Sequence, residues 1–221
     1  MDEQKVFLFD LNGTMVDDME FHIKAWFDIL NDLGANISLE RTKAECYGKN
    51  DELLERIFPG RFSEAEKTKM SYDKETAYQA AFRPMLKLLN GLDAFLAKAA
   101  GENIPMAIGS AAIHYNIDFV LDGLNLRHYF PVIVGAEDVV ISKPHPETYL
   151  KCADQLRQAY ANCIVFEDSP KGVEAAKNAG MKAVVLTTMH TAEEFSGYDN
   201  VIAIIKDYTD QQLNNFFQRA H

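Results

Sequence analysis

The first ten residues carry an uninterrupted apolar run, Val6-Phe7-Leu8-Phe9, that leads straight into Asp10, with Gly13 three positions on. A run this short and this uniformly apolar suits a strand buried on both faces of a parallel sheet. Beyond it the period changes. Across 17–33, Phe21, Ala25, Ile29 and Leu33 recur at helical spacing, Trp26 and Leu30 widen the stripe, and Gly34 supplies a stop. Helices are also predicted over 38–47, 50–57 and 63–82, with Ser38 as a cap and Ser63 and Glu66 in capping-box spacing. Gly48 and the Pro59-Gly60 pair separate them, and no strand pattern occurs between residues 17 and 100.

After Pro84 the pattern alternates. Strands are predicted at 104–109, 132–134, 163–166, 182–186 and 201–205, and helices at 91–101, 112–123, 146–158, 170–179 and 209–218. Such alternation, with glycine stops, predicts an α/β fold with a doubly wound, Rossmann-like parallel sheet. Residues 1–15 and 84–221 would form this core domain, and residues 16–83 an inserted α-helical cap domain. Right-handed crossovers bring the carboxyl ends of the strands to one edge, where open sheets of this kind bind ligands.

A chain of 221 residues can hold one such core and a smaller second unit. No apolar run approaches the ~20 residues of a membrane span. The acidic opening Met1-Asp2-Glu3 lacks the basic start of a signal peptide, and a cytoplasmic location is expected. The three cysteines (Cys46, Cys152, Cys163) have no metal or redox spacing, and their odd number fits a reducing compartment. A net charge of −11 disfavours nucleic acid and anionic membranes as partners. It also means that an anionic ligand needs local cations or a metal.

The candidate chemistry lies at the predicted strand ends. Asp10 follows the first strand, where it could be a metal ligand, a nucleophile or a helix cap. Ser110 follows 104–109, Lys143 lies in Ile141-Ser-Lys-Pro-His-Pro-Glu147, and Glu167-Asp168 follows Ile164-Val-Phe166 and precedes Ser-Pro-Lys-Gly172. Singly, Ser110 reads as a helix cap, Lys143 as a loop charge, and the acidic pair as a first-turn complement to a helix dipole. Together they form an ordered set of four strand-tip motifs.

Those motifs resemble the haloacid dehalogenase (HAD) superfamily, in its β-phosphoglucomutase-like branch with a helical cap. The resemblance runs from Asp10-Leu-Asn-Gly-Thr14 through Gly-Ser110 and Lys143-Pro-x-Pro-Glu147 to Phe-Glu-Asp168-Ser-x-x-Gly172, and covers essentially the whole chain. It implies that Asp10 attacks phosphorus to form an aspartyl-phosphate. It implies a Mg²⁺ cofactor held by Asp10, Asp168 and the main-chain carbonyl of Asn12, with Glu167 beside them. By the same resemblance Ser110 hydrogen-bonds the phosphoryl oxygens and Lys143 neutralises the transferring group. Backbone N–H groups of Leu11, Gly13, Thr14 and Ala111 would complete the cradle. Phosphoryl transfer, being mostly positioning and charge neutralisation, suits this residue set, and dehalogenation does not.

Asn12 departs from the family pattern, which has a second Asp there as the acid–base group. An amide donates a hydrogen bond but cannot accept the proton of water. The implied activity is a phosphohydrolase acting on a small phosphorylated metabolite. A sugar-phosphate mutase is the alternative enzyme, and a catalytically weak phospho-ligand binder is an alternative of another class.

The cap loop Tyr47-Gly48-Lys49-Asn50 sits where relatives carry a specificity loop, so Gly48, Lys49 and Asn50 are expected at the substrate. Lys49 or Lys74 would meet a second anionic group. His22 aligns with a histidine that orders the cap. Asp51 stands where the mutases have an arginine for a distal phosphate, which favours a hydrolase. A monomer or weak dimer is expected. Because general acid–base catalysis is worth ~10²–10⁴-fold, Asn12→Asp is predicted to raise phosphatase turnover at least about tenfold, as steady-state assays with a generic phosphate ester would read.

Overall fold

The computed structural model describes residues 4–217. Its elements run β1 (Val6–Phe9), α1 (Met19–Asp32), α2 (Leu39–Glu45), α3 (Asn50–Ile57), α4 (Glu64–Phe82), α5 (Leu92–Gly101) and β2 (Met106–Gly109). They continue α6 (His114–Gly123), β3 (Val132–Val134), α7 (Glu147–Leu156), β4 (Cys163–Glu167), α8 (Pro170–Asn178), β5 (Lys182–Leu186) and β6 (Val201–Ile205). The six strands form one sheet in the order β3-β2-β1-β4-β5-β6, with every neighbouring pair parallel. The chain steps outward from β1 to β3, then crosses back to β4 on the other side of β1. That reversal places the ligand crevice of such a sheet at the carboxyl ends of β1 and β4.

Strand pleat explains the unbroken apolar run at the start. Phe7 and Phe9 point to one face, packed with Ile108, Phe166 and Val184 and covered by α5 and α6. Val6 and Leu8 point to the other, packed with Ala107, Val165 and Val185 beneath α7 and α8. Both faces are dry, so both must be apolar. On the first face Phe9 stacks on Phe166 with ring centroids 4.7 Å apart, and Phe7 stacks on Phe95 at 5.4 Å.

Between β1 and β2 the helices α1 to α4 build a small core of their own around Trp26, Leu30, Leu53 and Leu54. The end of α4 returns to the sheet, where Tyr78 and Phe82 join the main core. The predicted caps form: Ser38 accepts from the Arg41 N–H at 3.1 Å, and the Ser63 N–H donates to Glu66 Oε2 at 2.8 Å. No helix among the described residues is long and apolar enough to cross a membrane.

Two predicted helices differ. The segment predicted as a helix over 209–218 is a 3₁₀ helix over Gln211–Phe217, with residue 218 outside the described residues. Asp210 starts it with i to i+3 bonding from Leu213, and Asn214 and Asn215 are poor α-formers. The helix predicted over 112–123 begins only at His114. Ala112 is held in a loop, its N–H donating to Ser110 Oγ at 3.1 Å and its carbonyl accepting from Ala136 N–H at 2.9 Å.

Phe166 is fully buried and touches five aromatic rings of this layer, Phe7, Phe9, Phe95, Tyr208 and Phe216. Phe166→Ala is therefore expected to lower the unfolding free energy by about 3–5 kcal/mol in urea melts. Val140→Ala, at a position 83 % exposed, should stay within about 0.5 kcal/mol of the starting chain.

Candidate active site

The strand tips converge on Lys143. Asp10 leaves β1 with its N–H still bonded to the Phe166 carbonyl at 3.0 Å, so the ladder sets its backbone. From the loop before α7 the Lys143 ammonium reaches across the strand ends. It donates to Asp10 Oδ1 at 2.6 Å, to Glu167 Oε1 at 2.7 Å and to the carbonyl of Gly109 at 3.1 Å. All three donors are used, and the group is buried.

Glu167 is saturated. Its Oε1 also accepts from the Tyr149 hydroxyl at 2.8 Å, and its Oε2 accepts from the N–H groups of Asp168 and Ser169 and from Ser169 Oγ, each at 3.0 Å. Gly172 makes room for this carboxylate: a Cβ there would lie 1.7 Å from Glu167 Oε1. Gly13 does the same for Asp168, with φ +74° and a hypothetical Cβ 2.1 Å from Asp168 Oδ2. The glycine of the first motif thus serves a neighbouring carboxylate as well as the turn.

Carboxylate oxygens of Asp10, Glu167 and Asp168 lie within 4.8 Å of one another, and all three residues are buried. Burial pushes the Asp10 carboxyl up to about 7, against the pull of Lys143, and the Glu167 charge pushes the same way. Burial, with Glu167 and Asp10 adding to it, holds Asp168 well above the usual carboxylate range. Glu167 is lowered despite its burial, because Lys143 and the hydrogen bonds it accepts outweigh desolvation. One cation for three carboxylates leaves an oxygen-rich, under-neutralised pocket, which is the donor chemistry of a hard divalent cation. Since both Glu167 oxygens are already engaged, Asp10 and Asp168 have the more available oxygens.

Ser110 lies buried at the tip of β2, its N–H bonded to the Val134 carbonyl at 2.9 Å. It shares with Asp10, Asn12, Lys143 and Ala111 the lining of a cleft of about 610 Å³. Leu11 is fully buried and turns the chain through its carbonyl, which accepts from Thr14 and Met15 N–H. Thr14 Oγ1 lies 3.5 Å from Asp168 Oδ1.

The expected cap residues His22, Gly48, Lys49, Asn50 and Lys74 line the same cleft as Asp10, and their polar groups have partners within the protein. Lys49 lines the cleft, but its ammonium donates to the carbonyls of Val139 and Val140 at 2.5 and 3.3 Å. Lys74 is buried against Glu75 Oε1 at 2.9 Å and His22 Nδ1 at 2.6 Å. Both lysines line the cleft, and Lys49 keeps one of its three ammonium donors without a partner among the described residues. Gly48, at φ +73°, gives way to Glu52, whose Oε2 would meet a Cβ at 2.4 Å and accepts from Ser142 Oγ at 2.6 Å. Asn50 donates within the cap, to Ser71 Oγ at 2.7 Å and Glu75 Oε1 at 2.9 Å. His22 Nε2 lies 3.0 Å from Asn12 Nδ2.

Tyr149 and Asp18 had no distinguishing signal in the sequence. Tyr149 reads as an apolar helix position and Asp18 as half of an Asp-Asp pair. Their partners, Glu167 and Asn12, are remote in the chain or in the turn and become neighbours only through the fold.

Comparison with known proteins gives the family and the fold. The family described as haloacid dehalogenase-like hydrolase matches residues 7–186. The chain is 29 % identical to fructose-1-phosphate phosphatase of Escherichia coli (strain K12) over 177 residues, 80 % of this chain and 93 % of that protein. It is 28 % identical to β-phosphoglucomutase of Bacillus subtilis (strain 168) over 222 residues, 97 % and 96 % of the two chains. Its fold superposes on the crystal structure of β-phosphoglucomutase from Clostridium difficile with a TM-score of 0.81 at 25 % identity, over 97 % and 99 % of the two chains. The chain therefore belongs to the haloacid dehalogenase-like hydrolases and is an enzyme of their phosphatase and phosphotransferase kind.

Proposed function

We propose that this protein is a Mg²⁺-dependent phosphohydrolase of a small phosphorylated metabolite and that Asp10 is its phosphoryl acceptor. The observation that carries the reading is the Lys143 ammonium, fixed at 2.6 Å from Asp10 inside an acidic pocket at the strand tips. Asp10 and Asp168 would hold the metal with the Asn12 carbonyl, Glu167 lying beside them. A bound divalent cation would supply charge neutralisation for the carboxylates and the phosphoryl oxygens.

In the first half-reaction a carboxylate oxygen of Asp10 bonds to phosphorus while the bond from phosphorus to the ester oxygen breaks, and the departing alkoxide takes up a proton. In the second, water attacks phosphorus, the bond to Asp10 breaks, and phosphate leaves. Lys143 holds Asp10 in place and offsets charge in both halves as a point charge. Ser110 Oγ and the Ala111 N–H face the phosphoryl oxygens. The amide of Asn12 cannot keep the proton released by water, which passes to solvent base, and substrates with good leaving groups are favoured accordingly.

Two features favour hydrolysis over mutase chemistry. A mutase must grip a second phosphate, yet Lys49 is held by backbone carbonyls and Lys74 by Glu75. Asp51 adds negative charge at the start of α3. The phosphatase relatives extend the reading toward sugar and hexitol phosphates as the substrate class.

Asp10→Asn is expected to reduce phosphate release from any ester at least about 10³-fold, because it removes the nucleophile without changing its volume. A phosphate-release screen over sugar phosphates, nucleotides and pyrophosphate reads this. A variant that keeps its turnover would place the chemistry elsewhere, and tight ligand binding without turnover in the starting chain would mark a binding protein.

The metal reading has a pH signature. Asp10 and Asp168 have raised folded values, so between about 3.8 and 7 the folded state binds more protons than the unfolded state at Asp10. The Asp10 contribution to stability is complete below that window and is lost as pH rises through about 7, and Asp168, raised as well, acts in the same sense. Glu167, lowered, contributes in the opposite sense from acid pH upward, and Lys143, raised, keeps its contribution throughout. The Tm of the metal-free protein is expected to fall between pH 5 and 8, and saturating Mg²⁺ to raise it more at pH 8 than at pH 6. A Mg²⁺ shift independent of pH would contradict the assignment of the cation to these carboxylates.

A further inference from the structure

Beneath Asn12 lies a carboxylate for which the reaction above has no use. Asp18 is completely buried at the start of α1, while Asn12 and His22 above it line the cleft. Its Oδ1 accepts from the Gly13 N–H at 3.1 Å. Its Oδ2 accepts from Asn12 Nδ2 at 2.6 Å and from the Tyr78 hydroxyl at 2.5 Å. His22 Nε2 stands 3.5 Å from the same oxygen, and the imidazole is stacked on Tyr78 at 3.8 Å and backed by Lys74 and Glu75. Three donors converge on two oxygens, so this group acts as an acceptor.

That fixes the Asn12 amide. Turned over, it would set its oxygen 2.6 Å from a carboxylate oxygen, so Nδ2 is the atom that faces Asp18. Oδ1 then has no protein partner among the described residues, is not closed off from solvent, and belongs to a residue of the cleft wall.

We propose that Asp18 is the positioning residue of the leaving-group side of this cleft: it clamps the Asn12 amide so that residue 12 meets the substrate through Oδ1 alone, and it occupies the single anionic place that positions 12 and 18 can share. The proposal deepens the phosphohydrolase reading and rests on it for the substrate's position. Residue 12 then orients a substrate hydroxyl or the attacking water by accepting its hydrogen bond, and the proton goes to solvent.

A consequence follows for restoring the family's acid–base group. Asn12→Asp alone sets two carboxylates at the present 2.6 Å contact, one of them with no access to water. The reciprocal exchange, Asn12→Asp with Asp18→Asn, removes that carboxylate–carboxylate contact. The amide introduced at 18 keeps its oxygen on the Gly13 N–H and donates to the new carboxylate and to the Tyr78 oxygen. The tenfold gain that the sequence alone predicts for the single substitution Asn12→Asp is corrected by this contact: it requires a neutral side chain at position 18.

The test is a double-mutant cycle with Asn12→Asp, Asp18→Asn and the exchanged pair, followed by thermal melts and by kcat and KM on an alkyl phosphate with Mg²⁺. Asn12→Asp is expected to lower Tm by at least about 4 °C, and the exchanged pair to recover most of it. Only the pair should gain about tenfold or more in kcat. Equal Tm and equal kcat for Asn12→Asp and the exchanged pair would overturn the proposal. The melts decide it even if no variant turns over, which separates its failure from that of the Asp10 reading. Should the Asp18 variant not fold, the side-chain amide resonance of Asn12, identified by its loss in Asn12→Asp, provides a second readout. It is expected to exchange slowly with solvent and to shift in Tyr78→Phe, and a freely exchanging, unshifted amide would equally overturn the proposal.

Discussion

The buried ammonium of Lys143 is the constraint on which the rest of the site depends. It lies where the ends of β1, β2 and β4 meet, and it is bonded to Asp10, to the Gly109 carbonyl and to Glu167. A cation placed there without those partners would be strongly unfavourable, and breaking such a buried pair typically costs about 3–5 kcal/mol. The surrounding features can be understood as meeting its requirements. Tyr149 and the N–H groups of Asp168 and Ser169 hold Glu167 ionised and oriented, and Gly172 leaves space for it. One positive charge against three carboxylates still leaves the pocket acidic, which makes it receptive to a divalent cation.

Much of this was legible in the chain because the fold converts sequence position into spatial position in a regular way. A parallel sheet sends every strand's carboxyl end to one edge, so residues that follow apolar runs, such as Asp10, Ser110 and Glu167, are brought together by topology alone. The capping boxes and the glycine stops were likewise local and readable. Contacts that join distant turns of helix were not. Tyr149 looks like any buried helix position, and only the geometry of α7 against β4 gives its hydroxyl a partner. Lys49 and Lys74 carry charges that suggest anion binding, yet whether an ammonium is free depends on carbonyls and carboxylates brought to it by packing. The final segment failed for a local reason: Asp210 and the two asparagines favour i to i+3 bonding over a continued α-helix.

Asn12 is where the chain departs from its family's motif, and the structure places the departure in a polar cluster. Asp18, Tyr78 and His22 surround the amide, and Lys74, Glu75 and Asn50 continue the contacts into the helical insertion. Substituting one member of such a network changes the hydrogen-bonding demands on its neighbours. The side chain at 12 and its buried neighbour at 18 are best understood as a unit, with the charge on one and the donor on the other.

The most direct measurement is the identity of the residue that receives the phosphoryl group. The protein, mixed with a phosphate ester it turns over and quenched in acid within a single turnover, would be digested and its peptides analysed by mass spectrometry. The account predicts a transient phosphoryl adduct on the peptide carrying Asp10, formed and lost at rates that match turnover. Full phosphate release with no adduct on that peptide at any time point, or an adduct on another residue, would contradict it.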